Sequence, residues 1–488
     1  MLQVTRSIAT QASVAVPPTT FASRRGIDGR YYSPYGIGQS VLGVPFYLMG
    51  AFVKHHSDPH LRDVNPSADP ITYFASLLGI FSVTGTVVVL YLTCVELGFC
   101  QDAGIFTALA FGTCTFAWFY ARTFMTEPTS AFFFSLTFYG LLRFTKDIRL
   151  VWLLVSGIGL SLAILVRMQN VVVLPAFVLW LTLDLWMPQR PDFKETLAAI
   201  IVWLLPVLAS FAVIAAFNYL RFGSAMQNGI TSNDLLSRHH QIALGVRSGT
   251  RWTVPFIFSN PLYVGIYGFL LSPGKGVFWY APIIAPALYG WKILWKKYPQ
   301  ITIILGTLAG TYLLFYSKYI IWWGGGCWGP RYMVQMVPFL MIGLAALIDH
   351  GLGLIGWIVV AATTVLSFFI QLAGILVSYI PYVAVMIKSP EAFDRYLWAP
   401  AYSPIIVQAK ELLQHKYPYD LAYNTYPSEF LFHFQLIAML LSLVVFGGGI
   451  YLLRGEKEII KPEGNGSRHH TCKEEFHKNK SSARHLNE

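Results

Sequence analysis

A succession of apolar stretches, each about long enough to cross a bilayer, constrains this chain more than any other feature. A helix of ~20 apolar residues spans the hydrocarbon core. Stretches near that length lie at residues 71–96, 102–120, 128–145, 149–167, 170–187, 197–220, 276–296, 301–321, 332–349, 353–380 and 429–453. Of the 488 residues, 55% are hydrophobic and 12% charged, with a mean hydropathy of +0.53. Since this excludes a soluble domain, the sequence predicts an all-α polytopic membrane protein with about eleven transmembrane helices.

A shorter apolar stretch at residues 38–53 divides the N-terminal part from the spans. Its 16 residues contain Pro45, and this length favours a juxtamembrane or interfacial helix over a span. The sequence therefore predicts an external loop with this helix at 1–70 and a transmembrane domain at 71–453. The polar segment 454–488 is predicted to be a disordered cytoplasmic tail.

Basic residues in the short connections predict the orientation of the protein. They are Arg143, Lys146, Arg149, Arg190, Lys194, Lys292, Lys296 and Lys297. By the positive-inside rule these connections are cytoplasmic. The formal charge of +11 thus indicates membrane topology and not nucleic-acid binding. The opposite, non-cytoplasmic face then collects the unusual polar residues.

The segment Trp322–Tyr332, W-W-G-G-G-C-W-G-P-R-Y, is predicted to be a turn at that face. Its glycines and proline cannot continue a helix. The planar guanidinium of Arg331 matches a phosphate, and indole rings such as that of Trp328 suit a sugar surface. An aromatic anchor with an arginine reaching the headgroups remains an equal alternative.

Glu127, directly before Pro128, is the most informative single residue. An acid at the mouth of a span is costly unless it is hydrated, paired or functional. The alternative is a helix-start charge, since proline and an acid both favour a helix N-terminus. Arg122, five residues earlier, is predicted to be its local partner or a phosphate ligand.

Two further segments offer groups for an anion or a sugar. In S-P-G-K-G, Gly274 and Gly276 flank Lys275, which predicts backbone N–H groups and an ammonium facing an anion. This is not a Walker motif, and a basic residue at a span entrance is the alternative. Arg167 ends a span and carries the same ambiguity. The residues after it that could bind sugar hydroxyls are Gln169 and Asn170.

The polar and aromatic run before the short helix would line an access groove. Its candidate ligands are Tyr32, Tyr35 and Gln39.

Taken in order, these motifs resemble a known superfamily. The run Y-Y-S-P-Y-G-I-G-Q-S, the acid–Pro pair, S-P-G-K-G and C-W-G-P-R-Y are similar to the polyprenyl-phosphate-sugar-dependent glycosyltransferases of the GT-C superfamily. That superfamily includes protein O-mannosyltransferases and aminoarabinose transferases of lipid A. The resemblance covers roughly residues 1–350, although each motif alone is loose.

The resemblance implies transfer of a hexosyl or pentosyl group, with inversion, from a polyprenyl-phosphate donor. The acceptor would be a lipid, glycan or protein on the non-cytoplasmic face of a bacterial plasma membrane. Glu127 would be catalytic, orienting the acceptor, the base or a divalent metal. Arg331, Lys275 and Arg122 would hold the phosphate.

Trp328 and Tyr332 would then wall the sugar pocket. The superfamily also has an external acid, thought to be the general base, after a first span and before a helix similar to Met1–Gln11. The chain as given starts after that point: either its start is misassigned or truncated, or the base has been lost and this form is inactive as written.

Two other functions stay open at this point. A transporter or flippase would place polar groups near mid-membrane and show repeat symmetry, whereas these spans are apolar through their centres. A polymerase or ligase of lipid-linked glycans shares the carrier and the chemistry, and the sequence hardly separates it from the first function. The donor sugar and any divalent-metal requirement also stay open.

Overall fold

The computed structural model describes residues 1–20, 23–56, 70–185, 193–227 and 257–414. The helices of the first half are α1 (Leu2–Gln11), α2 (Gly38–Leu42), α3 (Val44–His56), α4 (Pro70–Glu96), α5 (Gln101–Cys114), α6 (Ala117–Ala121), α7 (Thr126–Asp147), α8 (Leu150–Val166), α9 (Leu174–Leu185) and α10 (Phe193–Phe222). Those of the second half are α11 (Leu262–Leu271), α12 (Val277–Tyr280), α13 (Ile284–Lys297), α14 (Pro299–Lys318), α15 (Val337–Asp349), α16 (Leu354–Leu376), α17 (Ile380–Met386), α18 (Pro390–Trp398) and α19 (Pro404–Leu413). Short 3₁₀ helices form at Met168–Val173, Arg331–Met333 and Pro400–Tyr402.

The predicted fold class is confirmed: this is an all-α polytopic membrane protein. Every predicted span within the described residues overlaps helical backbone, while 429–453 and the predicted tail lie outside them. Within the described ranges, four helices, α4, α10, α14 and α16, are long and apolar enough to cross a membrane unbroken. An additional apolar helix, α11, was not among the predicted spans.

Several predicted spans are interrupted in the structure. The stretch 102–120 divides into α5 and α6 because Thr115 is extended, with φ −127° and ψ 163°. The stretch 276–296 divides at Ala281 and Pro282, where the proline removes a backbone donor. The stretch 332–349 becomes helical only from Val337, because its beginning belongs to the preceding turn. Apolar length predicted these elements, whereas local backbone geometry set their ends.

The N-terminal part forms a small cap over one end of the bundle. Strands β1 (Ala15–Val16), β2 (Arg24–Arg25) and β3 (Tyr31–Tyr32) pair antiparallel in the order β1-β3-β2. Helix α1 packs on α3, and α2 packs on α8. The short helix predicted at 38–53 is present as the consecutive helices α2 and α3, which are separated at Gly43.

Antiparallel packing of α7 on α8 positions the functional residues. These two helices contact each other along their length, and α4 and α10 pack on their outer sides. The start of α7 therefore meets the end of α8 at one end of the bundle. The end of α14 and the turn before α15 lie at the same end, since the 3₁₀ helix Arg331–Met333 contacts α14. Residues distant in sequence are thereby brought together.

Candidate functional site

Glu127 lies in the first turn of α7, as its position before Pro128 predicts. Met125, the residue before the helix, is extended with φ −93° and ψ 158°. Proline is tolerated this early in a helix because the N–H groups of the first turn have no intrahelical partner. Glu127 is only 2% exposed, so its carboxylate requires partners within the protein.

Two arginines supply those partners at the same carboxylate oxygen. Arg167 Nη1 donates to Glu127 Oε1 at 2.6 Å, and Arg331 Nε lies 3.3 Å from that oxygen in an ion pair. The Thr126 hydroxyl donates to Oε2 at 3.3 Å. Glu127 thus pairs with Arg167 and Arg331 and not with Arg122, whose Nη1 donates to the Ile375 carbonyl at 3.0 Å.

Glu127, Arg167 and Arg331 form a charged cluster, and its charges do not balance. One carboxylate faces two guanidinium groups, which leaves a formal excess of one positive charge. The Arg167 and Arg331 side chains are 13% and 23% exposed, so both reach the surface of the cluster. Among the described residues, Arg167 has Glu127 as its side-chain hydrogen-bond acceptor, and its remaining N–H groups stay free for another anion. Such an arrangement suits a phosphate.

A stack of tyrosines supports the two guanidinium groups. Tyr332 stacks on Tyr316 with ring centroids 4.2 Å apart and planes 17° apart. The Arg167 guanidinium lies 5.0 Å from the Tyr332 ring centroid and 5.4 Å from that of Tyr316. Arg331 Nη2 also donates to the Tyr332 hydroxyl at 3.0 Å. Stacking and charge together hold the guanidinium planes in place.

Tyr316 and Tyr312 were missed by the sequence analysis. Tyr312, Tyr316 and Tyr319 are spaced i, i+4 and i+7 at the end of α14, which places them on one helix face. That spacing, ahead of the predicted turn, was the available signal. Tyr312 donates from its hydroxyl to the Asn170 side-chain oxygen at 3.0 Å.

The predicted turn at Trp322–Tyr332 is confirmed by its backbone. Gly324, Gly325 and Gly329 have φ values of 78°, 75° and 59°. These values favour glycine over residues with a Cβ atom. At Gly329 a Cβ would also lie 2.7 Å from the Tyr280 ring. The turn brings Arg331 back to the end of the bundle where Glu127 begins α7.

Trp328 lies inside the protein and not on a sugar-facing wall. It is fully buried, stacks on Phe119 at 4.7 Å, and donates from Nε1 to Gln408 Oε1 at 2.9 Å. Tyr332 is therefore the residue of the predicted sugar wall that contacts the charged cluster.

Lys275 is also fully buried, and its ammonium binds the turn directly. Its Nζ donates to the Cys327 carbonyl and lies 3.4 Å from the Gly325 carbonyl oxygen. Burial lowers the pKa of this ammonium to about 7. The structure therefore places Lys275 behind the turn that carries Arg331, where it satisfies backbone carbonyls.

The glycines beside Lys275 serve packing in the structure. The Gly274 N–H donates to the Leu397 carbonyl at 3.3 Å, and the Gly276 N–H donates to the Ser272 carbonyl at 2.6 Å. A Cβ at Gly274 would collide with the Tyr396 carbonyl. These N–H groups already have protein acceptors, so the anion-binding arrangement predicted for S-P-G-K-G is not formed.

The two residues predicted to bind sugar hydroxyls after Arg167 lie in the 3₁₀ helix. Asn170 is fully buried, and its Nδ2 donates to Ser130 Oγ and to the Ala163 carbonyl, each at 2.8 Å. The Tyr312 hydroxyl also donates to the Asn170 side-chain oxygen. Asn170 therefore connects α7, α8 and α14, and its amide has little hydrogen-bonding capacity left for a ligand. Gln169 is half-buried in the same turn.

The three candidates of the N-terminal cap separate in the structure. Tyr32 donates to Asp28 Oδ2 at 2.6 Å and packs on Phe222. Gln39 is fully buried, and its Nε2 donates to the Met125 carbonyl at 3.1 Å. Of the three, Tyr35 is the one whose hydroxyl pKa is affected by the charges of Arg331, Arg167 and Glu127.

Tyr35 is 41% exposed, yet the surrounding protein raises the pKa of its hydroxyl. Arg331 and Arg167 lie close enough to oppose that shift in pKa electrostatically.

A metal site does not form within the described part of the chain. These residues contain no group of three or more His, Cys, Asp or Glu side chains able to hold an ion. Glu127 has both its oxygens engaged by Arg167, Arg331 and Thr126. The donors present do not fit a divalent cation.

Residues 70–217 match the family described as dolichyl-phosphate-mannose-protein mannosyltransferase. The GT-C resemblance is confirmed. The matched segment contains Glu127 and Arg167, whereas Arg331 follows it. A transporter or flippase is not favoured. A search of curated proteins found no match to the chain.

This chain is also similar to two solved structures. ArnT from Cupriavidus metallidurans bound to undecaprenyl phosphate is 13% identical, with 85% of this chain and 72% of that chain covered and a TM-score of 0.44. The oligosaccharyltransferase of Archaeoglobus fulgidus in the apo form is 12% identical, with 84% and 51% covered and a TM-score of 0.45. These TM-scores are low, so the family match supports the assignment and the structural likeness does not.

Proposed function

We propose that this glycosyltransferase moves a sugar from a polyprenyl-phosphate carrier to an acceptor hydroxyl on the non-cytoplasmic face. The supporting observation is the single Glu127 oxygen shared by Arg167 and Arg331 at one end of the bundle. The match of residues 70–217 to a family that uses a dolichyl-phosphate sugar supports the same carrier class. A lipid, a glycan or a protein could provide the hydroxyl.

In the proposed reaction the acceptor oxygen attacks the anomeric carbon with inversion. A new glycosidic C–O bond forms while the bond from that carbon to the phosphate oxygen breaks. The polyprenyl phosphate leaves with the bonding electron pair, and the hydroxyl proton passes to a separate base. Arg167 and Arg331 stabilise the negative charge that accumulates on the departing phosphate.

Glu127 orients the two guanidinium groups in this proposal. Its Oε1 is held by both arginines and its Oε2 accepts from Thr126, so it is poorly placed to take a proton. Tyr332 and Tyr316 hold the Arg167 guanidinium plane, and we assign Tyr35, whose hydroxyl senses the charges of Arg331 and Arg167, to the edge of the phosphate site. Lys275 supports the turn behind Arg331 and has no contact with the carrier.

Two further observations support the proposed non-cytoplasmic face. Glu127, Arg167 and Arg331 lie at the end of the bundle opposite Arg143 and Lys146, which pair with Glu96. Since the basic connections are predicted to be cytoplasmic, we place the charged cluster on the other face.

Turnover of a polyprenyl-phosphate-linked mannose in proteoliposomes, in the presence of membrane acceptors, tests the proposal. We expect wild-type protein to release polyprenyl monophosphate and Arg331→Ala to do so with a kcat/KM lower by about 10-fold or more. Arg395→Ala is the matched control, because Arg395 is an exposed arginine that lies over a tyrosine ring without touching the cluster. Equal turnover by Arg331→Ala and Arg395→Ala would contradict the proposed site.

A further inference from the structure

The N-terminal cap contacts the two chain segments that meet at the charged cluster. Gly36 and Gly38 lie against the backbone of Leu165 and Val166, where added Cβ atoms would lie 2.8 and 2.6 Å from Leu165 O and Leu165 C. These two residues directly precede Arg167. Helix α2 is therefore seated on the end of α8, and its neighbouring glycines permit this close approach.

The same short helix also contacts the segment before Glu127. Gly43, at the end of α2, lies against Phe124, and a Cβ there would come 2.5 Å from the Phe124 ring. Gln39 Nε2 donates to the carbonyl of Met125 at 3.1 Å. Met125 is the N-cap of α7, and no side chain caps this helix start. Gln39 thus supplies the side-chain contact that holds the backbone two residues before Glu127.

We infer that Gln39 is a positioning residue that sets Glu127 against Arg167. Gln39 lies on α2, which packs on α8 and contacts Phe124 and Met125 directly before α7. Its hydrogen bond fixes the Met125 carbonyl, which fixes the first turn of α7 and the direction of the Glu127 side chain. The 2.6 Å contact between Glu127 and Arg167 depends on that direction.

The environment of Gln39 supports a role beyond simple core packing. Gln39 is fully buried, and its Oε1 has no hydrogen-bond partner within the described residues. Burying an amide with one end unsatisfied is unfavourable, and an apolar side chain of the same length would avoid that loss. The presence of an amide at this buried position is therefore best explained by its N–H group, which donates to the Met125 carbonyl in the segment before Glu127.

This inference rests on the proposed function, and sugar transfer is its first measurement. We expect Gln39→Met to lower kcat by about tenfold while the KM for polyprenyl-phosphate mannose changes by less than about twofold. Ser40→Ala is the matched control, because the adjacent, buried Ser40 also donates to a backbone carbonyl, but to that of Met1 and not to the segment before Glu127. We expect Ser40→Ala to keep wild-type kcat.

A second measurement separates positioning from packing. If Gln39 acts through Glu127, then Gln39→Met in a Glu127→Gln background should cause no further loss of kcat. Multiplied losses, or equal kcat for Gln39→Met and Ser40→Ala, would overturn the inference. Gln39→Asn keeps the amide but is too short to reach Met125, and it replaces Gln39→Met if the latter does not fold.

The outcomes also distinguish this inference from the function on which it rests. Normal transfer by Arg331→Ala and Glu127→Gln would contradict the proposed function. Loss of transfer in both, with an unaffected Gln39→Met, would contradict only the role of Gln39.

Discussion

Arg167 and Glu127 lie 40 positions apart in the chain, yet Arg167 Nη1 is 2.6 Å from Glu127 Oε1. Arg331 approaches the same oxygen from the turn before α15, at 3.3 Å. Both arginines also contact Tyr332, so the carboxylate and the aromatic ring fix them from two sides. The first predictions test what each part of this arrangement contributes.

Glu127→Gln should lower kcat for sugar transfer by ~10²-fold, because the amide cannot hold two guanidinium groups in place. The KM for the donor should not rise, since removing a negative charge leaves the arginines free to attract phosphate. Glu391→Gln is the control: Glu391 also lies next to a proline in the first turn of a helix, α18, where it follows Pro390, and it is exposed. A helix-start charge alone is worth about 0.3–1 kcal/mol and would leave kcat per folded molecule unchanged.

Arg167→Lys should reduce kcat/KM for the donor by about 10- to 100-fold, although it keeps the positive charge. Lysine loses both the planar contact with Tyr332 and Tyr316 and the directed bond to Glu127. Steady-state kinetics in detergent or proteoliposomes would measure the loss. Arg149→Lys, at the exposed opposite end of α8, should behave as wild type. Wild-type kinetics for Arg167→Lys would show that a point charge suffices.

Lys275→Met should lower the thermal midpoint, since the carbonyls of Gly325 and Cys327 would lose their shared donor. In the folded fraction, donor KM should change less than in Arg331→Ala. A loss of donor affinity as large as that of Arg331→Ala, with an unchanged midpoint, would instead assign Lys275 to the phosphate.

The stability of wild-type protein should also depend on pH through Lys275. Burial lowers its pKa from 10.5 to about 7, so between these pH values the unfolded chain binds the proton and the folded protein releases it. The free energy of unfolding should therefore rise as pH increases from 7 toward 10. Comparing thermal midpoints of wild type and Lys275→Met across this range isolates the contribution. If the thermal midpoint of wild type relative to that of Lys275→Met falls as pH rises, the expected increase in stability is contradicted.

Cysteine labelling in a background without the five native cysteines tests the orientation. Met226 is 90% exposed beyond the end of α10, at the end of the bundle that carries the charged cluster. A membrane-impermeant maleimide should modify Met226→Cys in intact cells. Glu195→Cys, at the start of the same helix, should react only after permeabilisation. The reversed pattern would place the charged cluster on the cytoplasmic face.

The sequence by itself determined the class of the protein, most of its helices and the position of its turns. Apolar length decides whether a segment can be buried in a bilayer, and this is a local property. Pro128 predicts the start of α7, and the glycines of Trp322–Tyr332 predict a turn, because each restricts or frees its own backbone. The motif order also indicated a resemblance to glycosyltransferases that use a polyprenyl-phosphate sugar, and residues 70–217 match a family of dolichyl-phosphate-mannose-protein mannosyltransferases.

Only the tertiary structure decided which residues meet. Sequence proximity predicted Arg122 as the partner of Glu127, whereas helix packing supplies Arg167 and Arg331. Lys275 and Trp328 were predicted to bind substrate because of their chemistry. In the structure Lys275 is buried and donates to a backbone carbonyl, and Trp328 lies in the core. Gln39 was expected to bind substrate and instead contacts Met125. Partner choice depends on where separate helices end in space, and neither residue type nor local spacing specifies that geometry.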